Sequence, residues 1–416
     1  MNTFQSTRLA PLMQYMSALF SPSHLVPDPC PGLKTQFDLT WTYTLLPLAR
    51  ALNVHQALGL NSRMKKKLYK DLQQKSPDQW LDLLRSLSTC LLVWHQRFLR
   101  TKDDTYRSRH QIGFFLDDTT LLKEGNAFDD LTLRIYDHVN QVYGPGYQMV
   151  QLIAVLGDGE LVLPVAFAFR LPPDPAQPDL LPETKPAIAC RLLEQVLTAL
   201  KEEAGGLEYV TMGADSWYGV KDLADLARKY TIPYVSKAKG NLVFTKGQES
   251  GKIAHWLPQA DWKTSSQLPE GVRYCQQVMT HATLGTLRVT FYQDGKRTFA
   301  LYSTDPTQKS PRMLAIYKKR WKIEEFFRCG KQLLGWEFHV RSREGIAGHL
   351  ALRQMTFLLL EMLQHNVPEF HSKTLGQILR EYHEIPTLIW AEMWSGGVNS
   401  EETQNNPFFF NELLAA

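Results

Sequence analysis

Residues 112–120, which read IGFFLDDTT, mark the point where the chain changes from a helical to a strand pattern. Its first five residues are apolar and lead directly into Asp117 and Asp118, which is typical of a buried strand that ends at a polar loop. Residues two apart on a strand share a face, so Asp117 and Thr119 are predicted to point to one side and Asp118 to the other. The register stays ambiguous, because Asp118 and Thr120 repeat the same pattern one residue later.

Strands and helices alternate after this stretch, and their order predicts an α/β core. The order is three antiparallel strands, a helix, a strand, a helix and a strand. The core is assigned to 109–238 and resumes at 298–345, beyond an inserted β-strand subdomain at 239–297. Helices are predicted at 185–204 and 220–230, and further strands at 147–156, 160–171, 208–213, 232–237 and 298–302.

The flanks of this core have helical patterns. Residues 1–108 are predicted to form a small helical domain, in which Ser76-Pro77 starts one helix and a basic cluster occupies 63–70. This domain could bind DNA or could equally cap the core, and no recognition-helix motif decides between the two. Residues 346–416 are predicted to be a C-terminal helical region.

Composition excludes several classes of protein. The chain has 416 residues, 44% of them hydrophobic, and a net charge of only +4, so any polyanion partner would bind local basic clusters. Its five cysteines are scattered, which argues against a zinc site and a disulfide framework and favours a reducing cytoplasm. The start of the chain lacks the pattern of a signal peptide, and the apolar run 355–363 is too short to span a membrane.

The stretch 310–332, SPRMLAIYKKRWKIEEFFRCGKQ, is predicted to form one long helix with Ser310 as N-cap. Alone, this pattern is more typical of an amphipathic surface helix with ordinary ion pairs four residues apart. Four residues nevertheless fall within about 60° of one another on one stripe of the helix. They are Tyr317, Arg320, Glu324 and Lys331.

The spacing of these four residues, Y-(2)-R-(3)-E-(6)-K, resembles the signature of a group of bacterial insertion-sequence transposases with a DDE site. Two upstream runs resemble the other motifs of that group. Asp117-Asp118-Thr119, followed by Lys123 and Gly125, resembles its first-aspartate motif, D-D-T with K-x-G. Residues 215–219, DSWYG, resemble its D-S-x-Y-G element. Each motif alone is weak, and Asp215 or Ser216 could simply cap a helix.

The resemblance implies a ribonuclease H-like core with a β-rich insertion, and a catalytic triad of Asp117, Asp215 and Glu324. Asp118 is the alternative first member. In such a fold the first and fourth strands are neighbours at the centre of the sheet, so both aspartates would lie at adjacent strand ends. Three carboxylates repel one another unless cations neutralise them, and oxygen ligands suit two Mg²⁺ or Mn²⁺ ions.

The resemblance also implies DNA contacts. Tyr317, Arg320 and Lys331 would hold phosphates beside the scissile bond, and Lys237 and Lys239 would add backbone contacts. Relatives hold a flipped base against an aromatic residue, which makes Trp256 and Trp262 candidates for stacking.

The implied protein is a DNA transposase that cuts element ends and joins them to target DNA, as a homodimer in a bacterial cytoplasm near the nucleoid. The sequence leaves other classes open. They are a metal-dependent nuclease on the same fold, a DNA-binding descendant without catalysis and, more distantly, a glycosidase with paired carboxylates.

Overall fold

The computed structural model describes residues 76–122, 132–137, 141–157, 161–173, 181–336 and 343–383. Several sequence predictions therefore lie outside the described residues. They include most of the helical domain 1–108 with its basic cluster, the K-x-G part of the first-aspartate motif, and the end of the C-terminal region.

The helices follow the predicted periodicity closely. Ser76 caps the first one in a capping box with Gln79, as predicted from the Ser-Pro pair. The helix predicted at 185–204 has those bounds and ends at Gly205, whose φ of 74° suits glycine. The helices are α1 (Pro77–Arg100), α2 (Asp104–Arg109), α3 (Lys185–Ala204), α4 (Lys221–Lys229), α5 (Ile253–Trp256), α6 (Ser310–Lys319), α7 (Trp321–Gln332), α8 (Arg343–Asn366) and α9 (Leu375–His383).

The strands form one sheet in the order β2-β3-β1-β5-β6-β11-β10-β9-β7-β8, and β4 also pairs with β3. Strand β1 is antiparallel to β3 and parallel to β5, and β5 is parallel to β6. The order β4-β3-β1-β5-β6 confirms the predicted ribonuclease H-like α/β core. The strands are β1 (Ile112–Leu122), β2 (Leu133–Asp137), β3 (Val142–Leu156), β4 (Leu161–Phe169), β5 (Val210–Ala214), β6 (Tyr234–Lys237), β7 (Val243–Lys246), β8 (Glu249–Lys252), β9 (Val272–His281), β10 (Gly285–Asp294) and β11 (Arg297–Ser303).

The insertion continues this sheet instead of forming a separate layer. Strand β11 pairs with β6 on one side and with β10 on the other, and β9 follows β10. The sequence indicated the strands of the insertion but not their attachment to the core. It also missed β2 and β8 and ended β1 too early.

The prediction of one long helix over 310–332 is wrong. The helix is interrupted at Arg320, which separates α6 from α7. There the N–H of Arg320 donates to the carbonyl of Tyr317, and the N–H of Ile323 donates to that of Arg320, both at 3.1 Å. Bonds between residues three apart tighten the chain into a short 3₁₀ turn. The N-cap is Lys309, and Ser310 is buried inside the first turn, where its Oγ donates to Gln276.

The two helices on either side of the break pack against the central strands of the sheet. Helix α6 packs on β5 and β6, and α7 packs on β1 and α8. Helix α8 is long and apolar enough to cross a membrane by length and composition, but 94% of its most apolar window is buried inside the protein. This burial is typical of a core helix. Helix α7 packs on both α8 and β1 and so lies between them.

Candidate active site

The three predicted carboxylates come from elements that meet at one edge of the sheet. Asp117 lies in β1, and Asp215 directly follows β5, which runs parallel to β1 with Leu116 opposite Ala214. The two aspartates therefore leave neighbouring strands at the same level. Glu324 lies in the first turn of α7, which packs against β1.

Arg320 links two of these carboxylates. Its Nη1 lies 3.3 Å from Oδ2 of Asp117, and its Nη2 donates to Oε1 of Glu324 at 2.5 Å. The guanidinium side chain is only 15% exposed. The helix break puts Arg320 at the junction of α6 and α7, from which it reaches both the strand and the helix. The structure thus brings Asp117, Arg320 and Glu324 together.

Burial and charge perturb the ionisation of this cluster. Burial raises the pKa of Asp117 to about 7, and the charges of Asp118 and Asp215 raise it further, while the Asp118 N–H and Arg320 oppose the shift. Burial alone would lower the pKa of Arg320, but the hydrogen bond to Glu324 and the nearby negative charges raise it. The pKa of Asp117 is therefore raised mainly by burial, although Arg320 lies beside it.

Asp118 faces a different set of groups from Asp117. Both of its carboxylate oxygens accept from Nζ of Lys185 at 3.0 Å, and Oδ1 also accepts from the Tyr218 hydroxyl at 3.0 Å. The separation of Asp117 from Asp118 follows from the alternation of side chains along a strand. It favours Asp117 as the member that faces Glu324.

The carboxylate of Asp215 caps a turn. It accepts from the backbone N–H of Trp217, so that Asp215 is the N-cap of the 3₁₀ turn Ser216–Tyr218. Its charge makes a small contribution to the raised pKa of Asp117. Gly219 closes this turn with φ of −74°, and a Cβ there would lie 2.6 Å from the Tyr302 hydroxyl. The glycine is needed for space, since its φ is one that other residues also adopt.

In the described part of the chain, no group of three or more His, Cys, Asp or Glu side chains is close enough to hold a metal ion. The reason lies in the contacts above: Arg320 stands between Asp117 and Glu324, and Asp215 is turned to a backbone N–H. The donor set nevertheless fits a hard divalent cation, because it consists of carboxylate oxygens around a position that already holds a positive group. In addition, Nε of Arg320 is buried with no hydrogen-bond partner among the described residues.

The remaining residues that were predicted to contact DNA phosphates have the following positions. Tyr317 is half-buried with Arg320 over its ring at 5.7 Å, and burial followed by the charge of Asp215 raises its pKa. Lys331 is exposed near the end of α7, and Lys237 is exposed at the end of β6. Lys239 lies beyond it, with Nζ 4.7 Å from the ring centre of Trp217.

The expectation for the tryptophans of the insertion fails in part. Trp256 is 2% exposed and its Nε1 donates to the carbonyl of Gly251, so its ring is enclosed and cannot stack on a base here. Trp262 is half-buried and has the guanidinium of Arg273 over its ring at 5.8 Å. Hydrophobic packing of the insertion accounts for both.

Sequence reasoning missed Trp217 and Lys185. Trp217 is 66% exposed, and Nζ of Lys185 lies 5.2 Å from the centre of its ring. Trp217 occupies the variable position of the D-S-x-Y-G element, where an exposed aromatic residue next to an aspartate was a usable signal. Lys185 gave no such signal, because only the fold brings the start of α3 to the end of β1.

One comparison with known proteins agrees with the motif evidence. Residues 189–359 match the family model described as Transposase DDE domain, a segment that contains Asp215 and Glu324 and begins after Asp117. This match supports a transposase of the DDE type. A solved Drosophila P element transposase strand transfer complex is 11% identical and aligns over 91% of this chain and 100% of that chain. Its TM-score of 0.17 supports no conclusion. Comparison with curated proteins finds no match.

Proposed function

We propose that the protein is a DNA transposase that cuts phosphodiester bonds at the ends of its own element and joins the freed 3′-hydroxyl groups to target DNA. One observation carries the proposal. Asp117 and Glu324, distant in sequence and each part of a transposase-like motif, share the guanidinium of Arg320. The match of residues 189–359 to a transposase DDE domain supports the same reading.

In this proposal Asp117, Asp215 and Glu324 are the metal ligands, and Asp118 is not. Two bound Mg²⁺ or Mn²⁺ ions would supply activation of the attacking oxygen and stabilisation of the leaving oxygen. The protein holds the carboxylates at a partly buried edge, where charge interactions are stronger than in water. Asp118 positions the turn that carries Asp215, because its carboxylate accepts from Tyr218 at the end of that turn.

Arg320, Tyr317 and Lys331 bind the phosphates that flank the scissile bond. A guanidinium can grip a phosphate with two parallel hydrogen bonds, whereas an ammonium acts as a compact charge. The Nε of Arg320 has no hydrogen-bond partner among the described residues, and in this proposal it donates to such an oxygen. Lys237 and Lys239 extend the positive surface at the strand ends and contact the DNA backbone.

The partner is double-stranded DNA, first the terminal inverted repeats of the element and then the target. Two ends must be cut together, so the active form is a homodimer assembled on DNA. The protein acts in a bacterial cytoplasm at the nucleoid. Size-exclusion chromatography with multi-angle light scattering, in the presence and absence of end DNA, measures the assembly directly.

The deciding experiment uses the genomic segment that encodes the protein, with several hundred base pairs on each side. The purified full-length chain is incubated with this DNA in Mg²⁺ or in chelator. Cleavage at the segment ends is expected only with Mg²⁺ and should be lost in Glu324→Gln. Glu325→Gln is the matched control, because Glu325 pairs with Lys322 at 2.9 Å and not with Arg320.

Two outcomes count against the proposal. Cleavage that persists in chelator or in Glu324→Gln would exclude the carboxylate mechanism. Cleavage without joining of the 3′-ends to a supercoiled target plasmid would identify a nuclease on the same fold.

A further inference from the structure

Two lysines from other elements contact the turn that carries Asp215, through the ring of Trp217. Nζ of Lys185, the first residue of α3, lies 5.2 Å from the centre of the ring, and Nζ of Lys239, which follows β6, lies 4.7 Å from it. Both distances are within the range of about 6 Å over which an aromatic face attracts an ammonium group. The ring is 66% exposed, so its position depends on these cations more than on burial.

Lys185 reaches the same turn by a second route. Its Nζ donates to both carboxylate oxygens of Asp118 at 3.0 Å, and Oδ1 of Asp118 accepts from the hydroxyl of Tyr218 at 3.0 Å. The side chains of Lys185 and Asp118 are only 23% and 15% exposed, so water competes little for these bonds. Since Tyr218 is the last residue of the 3₁₀ turn, Lys185 holds both the middle and the end of that turn.

The direction of the Asp215 carboxylate depends on this turn, because the carboxylate accepts from the N–H of Trp217. The backbone of the turn is held by β6. The hydroxyl of Ser236 donates to the carbonyl of Asp215 at 3.1 Å. The hydroxyl of Tyr234 donates to the carbonyl of Tyr218 at 2.5 Å. The strand thus fixes the backbone of the turn, and the lysine contacts fix its side chains.

We propose that Lys185 is a positioning residue for Asp215. It acts on the turn through Asp118 and Tyr218 on one route, and through the ring of Trp217 on the other. The inference rests on the proposed function for the role of Asp215 as a metal ligand. Groups that orient a ligand without touching the metal contribute about 10- to 100-fold in metal affinity, and we expect a loss of that size when Lys185 is removed.

A different role for Lys185 predicts a change of opposite sign. If Asp118 were itself a metal ligand, the ammonium group of Lys185 would take the place of the cation, and its removal would strengthen metal binding. Loss of a positioning residue has the reverse effect, because a misdirected carboxylate binds the metal more weakly. The sign of the change in affinity therefore distinguishes the two roles.

The test measures Mn²⁺ binding to the full-length chain without DNA, from the electron paramagnetic resonance signal of free Mn²⁺. Lys185→Met should weaken binding by about 10- to 100-fold. Lys185→Arg should stay within about threefold of the unmodified protein, because a guanidinium keeps the charge, the paired hydrogen bonds to Asp118 and the attraction to the ring. Lys201→Met is the matched control. Lys201 lies on the same helix with Nζ 5.8 Å from the ring centre of Tyr230, and its loss should change the affinity by no more than about twofold.

A double-mutant cycle tests the route through Asp118. Lys185→Met combined with Asp118→Asn should weaken Mn²⁺ binding no more than Lys185→Met alone, because both changes break the same chain of contacts. Losses that multiply would show two independent effects and would overturn the inference. The double variant leaves no unpaired carboxylate, so it carries the test if Lys185→Met fails to fold.

A second readout follows the turn itself and needs neither metal nor DNA. The chain has ten tryptophans, so labelling with 5-fluorotryptophan gives a ¹⁹F NMR spectrum in which Trp217→Phe identifies the resonance of Trp217. In chelator, Lys185→Met should shift or broaden this resonance, and Lys201→Met should not. Unchanged resonances from the other tryptophans would show that Lys185→Met is folded.

This inference and the transposase proposal fail separately. Mn²⁺ affinity that is equal or higher in Lys185→Met, or a Trp217 resonance that does not respond to this change, overturns the positioning role, whatever the cleavage assay shows. If both respond as expected but the element ends are never cut with Mg²⁺, the positioning of a metal ligand stands and the transposase proposal falls.

Discussion

Replacing Arg320 with glutamine should destabilise the metal-free protein and increase its stabilisation by Mg²⁺. The guanidinium is 15% exposed and lies between Asp117 and Glu324, whose side chains are 22% and 34% exposed. Removal of one partner from a buried ion pair costs about 3–5 kcal/mol, because the remaining charge is left unpaired.

Water reaches part of the Glu324 carboxylate, and Asp117 can take up a proton because its pKa is about 7. Both effects reduce the loss to about 2–3 kcal/mol. This corresponds to a fall in Tm of roughly 4–12 °C for a domain of 150–250 residues, and to less if a larger unit unfolds together. The measurement is differential scanning calorimetry at pH 7.5 in chelator.

The response to Mg²⁺ should have the opposite sign. If the proposed function is right, a divalent cation competes with the guanidinium for the same carboxylates in the unmodified protein, and in Arg320→Gln it does not. A tenfold gain in affinity adds about 1.4 kcal/mol to the stabilisation by saturating Mg²⁺. Calorimetry across a MgCl₂ series at constant ionic strength should therefore show a larger rise in Tm for the variant.

Arg328→Gln is the matched control, since Arg328 is exposed on the same helix and the substitution removes the same charge. It should shift Tm by no more than about 1–2 °C and leave the Mg²⁺ response unchanged. If Arg320→Gln were as stable as the unmodified protein in chelator and gained nothing extra from Mg²⁺, Arg320 would not be acting as the counter-charge of Asp117 and Glu324.

Three further outcomes are expected. Burial raises the pKa of Glu361 to about 7, so the native state holds this proton more tightly than the unfolded chain does. The protonated carboxyl group therefore contributes fully to stability below about pH 4.5, and this contribution is lost as the pH rises through 7. The free energy of unfolding of Glu361→Gln, relative to that of the unmodified protein, should therefore rise by up to about 3 kcal/mol between pH 5 and pH 8, as measured by urea unfolding. Gly330→Ala should lower the free energy of unfolding by about 1–3 kcal/mol or more, because the added methyl group would overlap the indole of Trp336. Tyr218→Phe should lose about 1–2 kcal/mol with its bond to Asp118 and should also slow Mg²⁺-dependent cleavage, since Tyr218 anchors the turn after β5.

Each of the three substitutions has a control or an outcome that would contradict the prediction. Equal pH dependence of Glu361→Gln and the unmodified chain would show that this carboxyl does not titrate between pH 5 and 8. Gly240→Ala is the control for the glycine, because nothing lies within 4 Å of a Cβ at that position. A Tyr218→Phe variant that loses stability but cuts at the normal rate would separate the anchoring of the turn from catalysis.

Local rules predicted the parts of the site that depend on neighbouring residues. The alternation of side chains along a strand separated Asp117 from Asp118, and a strand-to-turn pattern placed Asp215 after β5. The spacing of Arg320 and Glu324, four residues apart, predicted a pair that survives the helix break, since the break falls at Arg320 itself.

Tertiary packing decided what the sequence could not give. Neither proline nor glycine marks the break at Arg320, where α6, which packs on β5 and β6, meets α7, which packs on β1. Residue type did not distinguish the enclosed Trp256 from the exposed Trp217. Lys185 reaches Asp118 only because α3 starts beside the end of β1.

The shared strand β11 limits how this protein can move. It pairs with β6 where Ser303 lies opposite Val235, and with β10 as far as Arg297 opposite Asp294. The insertion and the core are therefore parts of one continuous sheet, which acts as a stiff plate. An independent swing of the insertion would have to break that ladder at one side or the other. Any large rearrangement on DNA is therefore expected to turn the plate as a single rigid body, with bending confined to segments outside the sheet.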